Sequence, residues 1–353
     1  MNLIGLSREE LTREIGALGE KPFRAKQLWH WMYHQGETDF DKMTSLGKPL
    51  REKLKQTHVV ARPTVLRELT SSDTTRKWLL QFSDGGAVES VFIPEEDRGA
   101  VCVSTQIGCP NGCVFCHTGT QKLTRNLTAG EIVSQFMVAR DVYGEWPSPA
   151  GEQRLLSNVV VMGMGEPLLN YDSLKTALKI LTDNEGIGVS KRRVTVSTSG
   201  IVPKIPQLAR DFGCIKLAVS LHAPTDEVRD KIMPVNKKYP LKELMAACRE
   251  FQEIAGTRQY ITMEYVMLDG VNDSDADARA LIRLVDGLMV KFNLIPFNEW
   301  NGCPLKCSSG KRIARFSEIL ERSRHAAPVR ASRGQDIMAA CGQLKSSVKA
   351  EGL

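Results

Sequence analysis

The sequence predicts an α/β protein, a partial (β/α)6 TIM-like barrel carrying a small helical N-terminal domain and a β-hairpin extension. Six extended apolar segments recur along the chain: AVCVSTQI, SNVVVMGM, RVTVSTSG, IKLAVSLH, QYITMEYV and VKFNLIPF, with helical stretches between them. Such alternation argues for parallel strands joined by crossover helices, and six strands make an incomplete barrel rather than the full eight. Ahead of them, RKWLLQF and AVESVFIP flank SDGG, where Gly85 and Gly86 suit a tight hairpin turn. Residues 1 to about 75 read as helical and basic, with little β-branched character.

These readings give an accessory domain over residues 1–75 and a main domain over 76–353. The main domain divides into the hairpin (76–95), a barrel core (about 96–330) and a C-terminal segment. In KPFRAKQLWHWMYHQG, Phe23, Leu28, Trp31 and Met32 fall near one helical face and are expected to pack inward. Thr128 and Glu131 have capping-box spacing at the head of LTAGEIVSQFMVARDVYG. Asp141 to Arg154 is the best candidate for an exposed loop.

Of the 353 residues, 42% are hydrophobic and 25% charged, which supports a sizeable packed core and argues against wholesale disorder. The formal charge of +6 is compatible with a polyanionic partner without requiring one. No apolar run reaches the roughly 18–20 residues of a membrane span, and MNLIGLSREELTREIG lacks the continuous apolar stretch of a secretory signal. A cytoplasmic protein is expected, with its thiols reduced. Nine cysteines then point to metal binding or catalysis rather than to a disulfide framework.

Cys109-Pro-Asn-Gly-Cys113-Val-Phe-Cys116 is the strongest motif. Three thiolates in one loop can bind three corners of a 4Fe–4S cube, whereas electron-transfer ferredoxins close all four. The open iron can chelate the amino and carboxylate groups of S-adenosylmethionine (SAM), and reduction of the sulfonium yields a 5′-deoxyadenosyl radical. A zinc knot is the competing reading and would need a fourth ligand such as His117 or Cys102. Gly163-Met164-Gly165-Glu166-Pro167, just after SNVVV, favours SAM: glycines admit close backbone approach, and the Glu166 carboxylate can hold the ammonium. Ser197, Ser220, His222 and Asn298 sit at strand ends, where a barrel builds its active site. Cys214, Cys248, Cys303 and Cys307 are assigned to packing or loops.

With these residues assembled, the chain resembles the radical-SAM RNA adenine methyltransferases of the RlmN and Cfr family. The resemblance is carried by ESVFIPEEDRGAVCVSTQIGC, CVFCHTG, TRNLTAGEI, MGMGEPLLN, KRRVTVSTSGIVP, SLHAP and RGQDIMAACGQL, with the RlmN branch the nearer. It implies a helix–hairpin–helix-like accessory domain and methylation of adenosine C2 in 23S ribosomal RNA and beside the anticodon of some transfer RNAs. The Cfr branch would instead favour C8, and a noncatalytic zinc RNA-binding module is the remaining alternative.

By motif, the resemblance implies that Cys109, Cys113 and Cys116 bind one 4Fe–4S cluster. Gly165, Glu166, Ser197, Ser220, Leu221, His222 and Asn298 would bind SAM, two molecules of which are used per turnover. Cys341 would carry the methyl group, Cys102 would resolve the thioether to RNA, and Glu89 would accept a proton. Partners would be 23S ribosomal RNA, transfer RNA and an electron donor such as a flavodoxin system, with no membrane and a monomeric chain. RNA binding would use basic residues around the site mouth and the N-terminal accessory domain, with Lys191 to Arg193, Lys237, Lys238, Arg330 and Arg333 as candidates.

Overall fold

A computed structural model describes residues 1–96, 98–149, 154–256 and 259–346. The N-terminal part holds α1 (Arg8–Ala17), α2 (Phe23–Tyr33) and α3 (Lys48–Thr57). Ser7 and Glu10 cap α1 reciprocally, satisfying amides that the first turn leaves without partners. On α2 the buried stripe is Ala25, Leu28, Trp29, Met32 and Tyr33. Two of the expected inward aromatics therefore differ. Phe23 lies exposed under the Arg24 guanidinium, and Trp31 is half-buried with Nε1 donating to Ser45 Oγ at 2.8 Å.

The chain then forms β1 (Thr64–Thr70), β2 (Arg76–Gln81), β3 (Ala87–Pro94) and β4 (Gly99–Cys102), an antiparallel run whose last strand opens the barrel. Strand β1 is the element that sequence reading missed. Its seven residues are almost wholly exposed at the sheet edge, so no burial alternation announces it. Because β1 pairs with β2, the expected boundary at residue 75 falls inside a hairpin and does not divide the structure.

A short ribbon, β5 (Gln106–Ile107) with β6 (Arg125–Asn126), brackets the cysteine loop. Then come α4 (Ala129–Tyr143), β7 (Leu156–Val161), α5 (Tyr171–Leu181), β8 (Val194–Thr198), α6 (Lys204–Phe212), β9 (Lys216–Ser220), α7 (Asp226–Ile232) and α8 (Leu241–Ala255). They are followed by β10 (Ile261–Met267), α9 (Asp275–Leu284), β11 (Val290–Pro296) and α10 (Gly310–Arg322). The main sheet runs β1-β2-β3-β4-β7-β8-β9-β10-β11, and its last six strands are parallel. These are the six apolar segments of the sequence, and the partial (β/α)6 barrel with a helical N-terminal part is the fold observed. The parallel strands carry an apolar core because their crossover helices cover them. Thr128 and Glu131 cap α4 as expected. No helix among the described residues is long and apolar enough to cross a membrane.

The expected exposed loop after Asp141 differs in its described part. Residues to Tyr143 end α4, and Ser148 is buried, accepting one hydrogen bond from Arg140 and donating to the Tyr33 and His34 carbonyls of the N-terminal part. Residues 150–153 of that loop lie outside the described residues. The N-terminal part also docks where Gly5 meets Gly130: a Cβ on Gly130 would stand 2.2 Å from the Ile4 carbonyl oxygen. Gly130→Val should therefore destabilise the protein by about 1–3 kcal/mol. Thermal unfolding of the variant would check this, and an unchanged midpoint would contradict such tight docking.

Candidate active site

The carboxyl ends of the parallel strands surround two adjoining cavities. One is lined by Cys109, Cys113, Cys116, Gly165, Glu166, Ser197, Ser220, His222, Asn298 and Cys341; the other by Cys102, Cys116, Asn298, Arg330 and Cys341. Cys116, Asn298, Arg330 and Cys341 thus belong to both.

The cysteine loop leaves β5 through Gly108, whose φ of +77° and 2.1 Å approach of a Cβ to the Lys122 carbonyl require glycine. Its main chain is tied down by Cys109 N–H to Gln121 O (3.2 Å), Val114 N–H to Ile232 O (3.1 Å) and Cys116 N–H to Cys113 O (3.1 Å). Burial pushes the Cys109 thiol up to about 12, the Cys113 thiol well above the usual range, and Cys116 upward as well. Thiols that resist ionisation this way become thiolates when a metal shares their pocket. Among the described residues no three His, Cys, Asp or Glu side chains gather tightly enough for a single metal ion. The three sulfurs line one cavity, as ligands of separate corners of a cluster would. The two candidate fourth ligands are also elsewhere. Cys102 faces the second cavity, and His117 stacks on Trp300 with ring centroids 4.6 Å apart.

The Gly163–Glu166 turn follows β7. A Cβ on Gly163 would lie 2.6 Å from Ser104 Oγ, and one on Gly165 (φ +96°) would lie 2.5 Å from Gln106 Cβ. These glycines let the β4–β5 segment pack closely behind the turn, while both line the first cavity. Glu166 is buried; Oε1 accepts from Leu168 N–H (3.0 Å) and Thr198 Oγ (2.9 Å), and Oε2 from Ser199 N–H (2.7 Å). Asn111 Nδ2 donates to Oε2 at 3.5 Å, the longest of the four contacts and the one a ligand cation would displace most easily. Burial raises the Glu166 carboxyl while these donors oppose the rise.

Ser197 and Ser220 are half-buried and line the first cavity. Leu221 does not: its side chain is fully buried, and its N–H and carbonyl are engaged by Glu264 O and Arg229 Nε. His222 has φ +57°, uncommon for a residue other than glycine. Val266 N–H donates to its Nδ1 at 3.0 Å, and burial pulls the imidazole down to about 3, so it stays neutral. Asn298 Nδ2 donates to the Cys341 carbonyl at 3.1 Å and its Oδ1 accepts from Gln335 Nε2 at 2.9 Å.

Cys341 reaches the site because the C-terminal segment is laced across it. His117 N–H donates to Gly342 O (2.7 Å), Thr118 Oγ to Leu344 O (2.5 Å) and Lys77 Nζ to Met338 O (3.0 Å). Cys102 is buried on β4, its thiol pushed up to about 12 by burial first and by the nearby Cys341 sulfur second. Glu89 is not brought to either cavity. It lines a neighbouring one, where Oε1 pairs with Lys77 Nζ at 2.8 Å and Oε2 accepts from Lys345 N–H at 2.9 Å.

Sequence reading missed Asn111, Ser199 and Glu264 as lining residues; only Asn111, inside the cysteine motif, carried a positional signal. Arg330 lines both cavities rather than an outer rim. Lys191 to Arg193 precede β8, at the end of the barrel opposite the site, so the expectation that they line its mouth is overturned. Lys237 and Lys238 follow α7 on the site side and are exposed.

Residues 1–60 match the ribosomal RNA large subunit methyltransferase N-terminal domain, and residues 103–282 match the radical SAM superfamily. The chain is 63% identical over 346 residues to the dual-specificity RNA methyltransferase RlmN of Rhodospirillum rubrum, covering 98% of this chain and 80% of that protein. With the protein of the same name from Paramagnetospirillum magneticum, identity is 60% over 352 residues, covering 99% and 77%. The fold is similar to the crystal structure of a radical SAM methyltransferase from Sphaerobacter thermophilus (TM-score 0.91, 45% identity, 98% and 100% covered).

Anaerobic reconstitution of the unaltered chain should give about four irons. Cys109→Ala, Cys113→Ala and Cys116→Ala should each lose most of that iron with its visible absorption, while Cys303→Ala should keep it. Retention of full iron by a triad variant would remove that cysteine from the set.

Proposed function

We propose, because the chain belongs to the RlmN family of the radical SAM superfamily, that it methylates C2 of an adenosine in 23S ribosomal RNA at the peptidyl-transferase centre. The same site would serve the adenosine beside the anticodon in some transfer RNAs. The observation that carries the reading is that Cys102 and Cys341, far apart in sequence, line one cavity adjoining the triad. A zinc-binding module has no use for that pair.

Adenine C2 lies between two ring nitrogens and is too electron-poor to attack a methyl sulfonium. When bound, the 4Fe–4S cluster and SAM would supply one electron and a 5′-deoxyadenosyl radical, which accepts a hydrogen atom from an S-methyl group and leaves a carbon radical able to add at C2. Cys109, Cys113 and Cys116 would hold the cluster. Glu166, Ser197, Ser220, His222 and Asn298 would hold SAM, with buried Leu221 acting only through the course of the chain. A neutral His222 can donate from Nε2 without adding charge.

Cys341 would take a methyl group as its thiolate, lose a hydrogen atom from that S-methyl, and join its carbon to C2. The RNA is then held on Cys341 as a thioether. Once the surplus electron has passed to an oxidised acceptor such as the bound cluster and the C2 proton to a base, the Cys102 thiolate would attack the Cys341 sulfur. The sulfur–sulfur bond would form as the sulfur–carbon bond breaks, the released carbon would keep the electron pair and take up a proton to become the methyl group, and the Cys102–Cys341 disulfide would await a reductant. Burial raises the Glu89 carboxyl, a change that favours proton acceptance, and Lys345 N–H ties it to the strap carrying Cys341. A flavodoxin-type donor and a monomeric enzyme complete the reading, since both thiols and both cavities come from one chain.

Cys102→Ala should trap RNA on Cys341, seen as a slower band on denaturing gels and as an adduct mass on the Cys341 peptide. Turnover without an adduct would overturn the pairing. Mass spectrometry of digested product RNA should show 2-methyladenosine, and an exclusively 8-methyl product would overturn the choice of C2.

A further inference from the structure

Arg229 on α7 is wholly buried, yet among the described residues no carboxylate oxygen lies within 4.0 Å of its guanidinium. Its nitrogens donate instead to neutral oxygens: Nε to Leu221 O (3.0 Å), one terminal nitrogen to Asn236 Oδ1 (2.8 Å), and the other to Ser199 O (2.6 Å) and Ser220 O (3.0 Å). Asn236 Nδ2 in turn donates to Asp226 and Asp230, which stand one residue removed from the cation. Buried charges are normally paired, because taking an ion out of water is expensive. A cation satisfied only by carbonyl and amide dipoles implies that another negative charge acts on it.

The cysteine loop is the place for that charge. Ile232, three residues after Arg229, accepts a main-chain hydrogen bond from Val114 within the motif at 3.1 Å, and Cys113 packs against the apolar cluster that contains Ile232 and Met233. Ser199 and Ser220, whose carbonyls Arg229 holds, line the same cavity as Cys113. Burial pulls the guanidinium down to about 10. The mechanism given above assigns Arg229 no part.

We infer that Arg229 is a buried counter-charge for the iron–sulfur cluster, offsetting the negative charge that three thiolates and one added electron build up, and so setting how readily the cluster is reduced. It acts through the cluster and is a positioning residue, not a catalytic one. The same guanidinium holds the ends of β8 and β9, where Ser197 and Ser220 line the cavity, so electron entry and cavity geometry share one support. This rests on the reading that the triad holds a cluster.

The test is the midpoint potential of the anaerobically reconstituted full-length protein, titrated with dithionite and followed by electron paramagnetic resonance. Arg229→Met should make the cluster at least tenfold harder to reduce, a fall of about 59 mV for one electron. Arg229→Lys, which keeps the charge but not the hydrogen bonds, should restore most of that loss. Asp230→Asn, which removes a negative charge behind the cation, should shift the midpoint upward, and it decides the matter alone should Arg229→Met not fold. An unshifted Arg229→Met midpoint at full iron content, an Arg229→Lys midpoint as low as that of Arg229→Met, or no rise in Asp230→Asn would overturn the proposal. An unaltered chain that takes up no iron would overturn the cluster reading and this proposal together.

Discussion

The hydrogen bond from the His117 amide to the Gly342 carbonyl joins the last turn of the cysteine motif to the last described stretch of the chain. Without that join Cys341 would sit on a tail rather than on a wall shared with Cys116. The bond does not act alone. Thr118, Lys77 and Asn298 each donate to a carbonyl of the same strap, at Leu344, Met338 and Cys341. These donors come from the cysteine loop, from β2 and from the end of β11. The strap is therefore read by three separate parts of the sheet, and its position reports on all of them.

The site is also a set of buried charges held without ordinary ion pairs. Glu166 is met by amides and hydroxyls, Glu264 by Asn293, and Arg229 by carbonyls. Such groups are costly in a dry interior unless a ligand of opposite sign completes them. A binding pocket for a zwitterionic sulfonium beside an anionic cluster needs that incompleteness. Glu166 keeps one long contact, from Asn111, that a cation can replace, and Arg330 lines one cavity with Glu264 and Cys341 and the other with Cys102 and Cys341. The fold holds both charges ready before anything binds, so less reorganisation is left for the moment of reaction.

Where the sequence was legible, a local rule was at work. The cysteine motif is read from spacing alone, and the six parallel strands from apolar runs that their covering helices oblige them to have. The β2–β3 turn follows from two glycines. What was not legible depends on partners distant in sequence. Strand β1 is exposed, so its pairing with β2 leaves no apolar pattern. The face of α2 turned by one position, burying Trp29 beneath Arg8, because that face meets α1 and the Asp183–Gly186 turn that follows α5. Lys191 to Arg193 look like an anion site until the direction of β8 puts them at the far end of the barrel. The Glu89–Lys77 pair is a cross-strand arrangement between β2 and β3 that no spacing rule isolates.

The two proposed sulfur partners are supported in opposite ways. Cys102 sits in β4 at the junction of the antiparallel extension and the parallel barrel, hydrogen-bonded on both edges of its strand. Cys341 sits on a strap held by individual hydrogen bonds, and it alone of the pair lines both cavities. In the proposed reaction, methyl loading and hydrogen loss would take place beside the triad, and resolution at Cys102. A carrier serving both would have to lie on their common wall, and a resolving thiol would have to stay apart from the cluster. Fixing Cys102 in a central strand and Cys341 on a separately held strap would meet both conditions. It also accounts for the high position of the Cys102 thiol: buried and unionised, it stays inert until the chemistry at Cys341 changes what lies beside it.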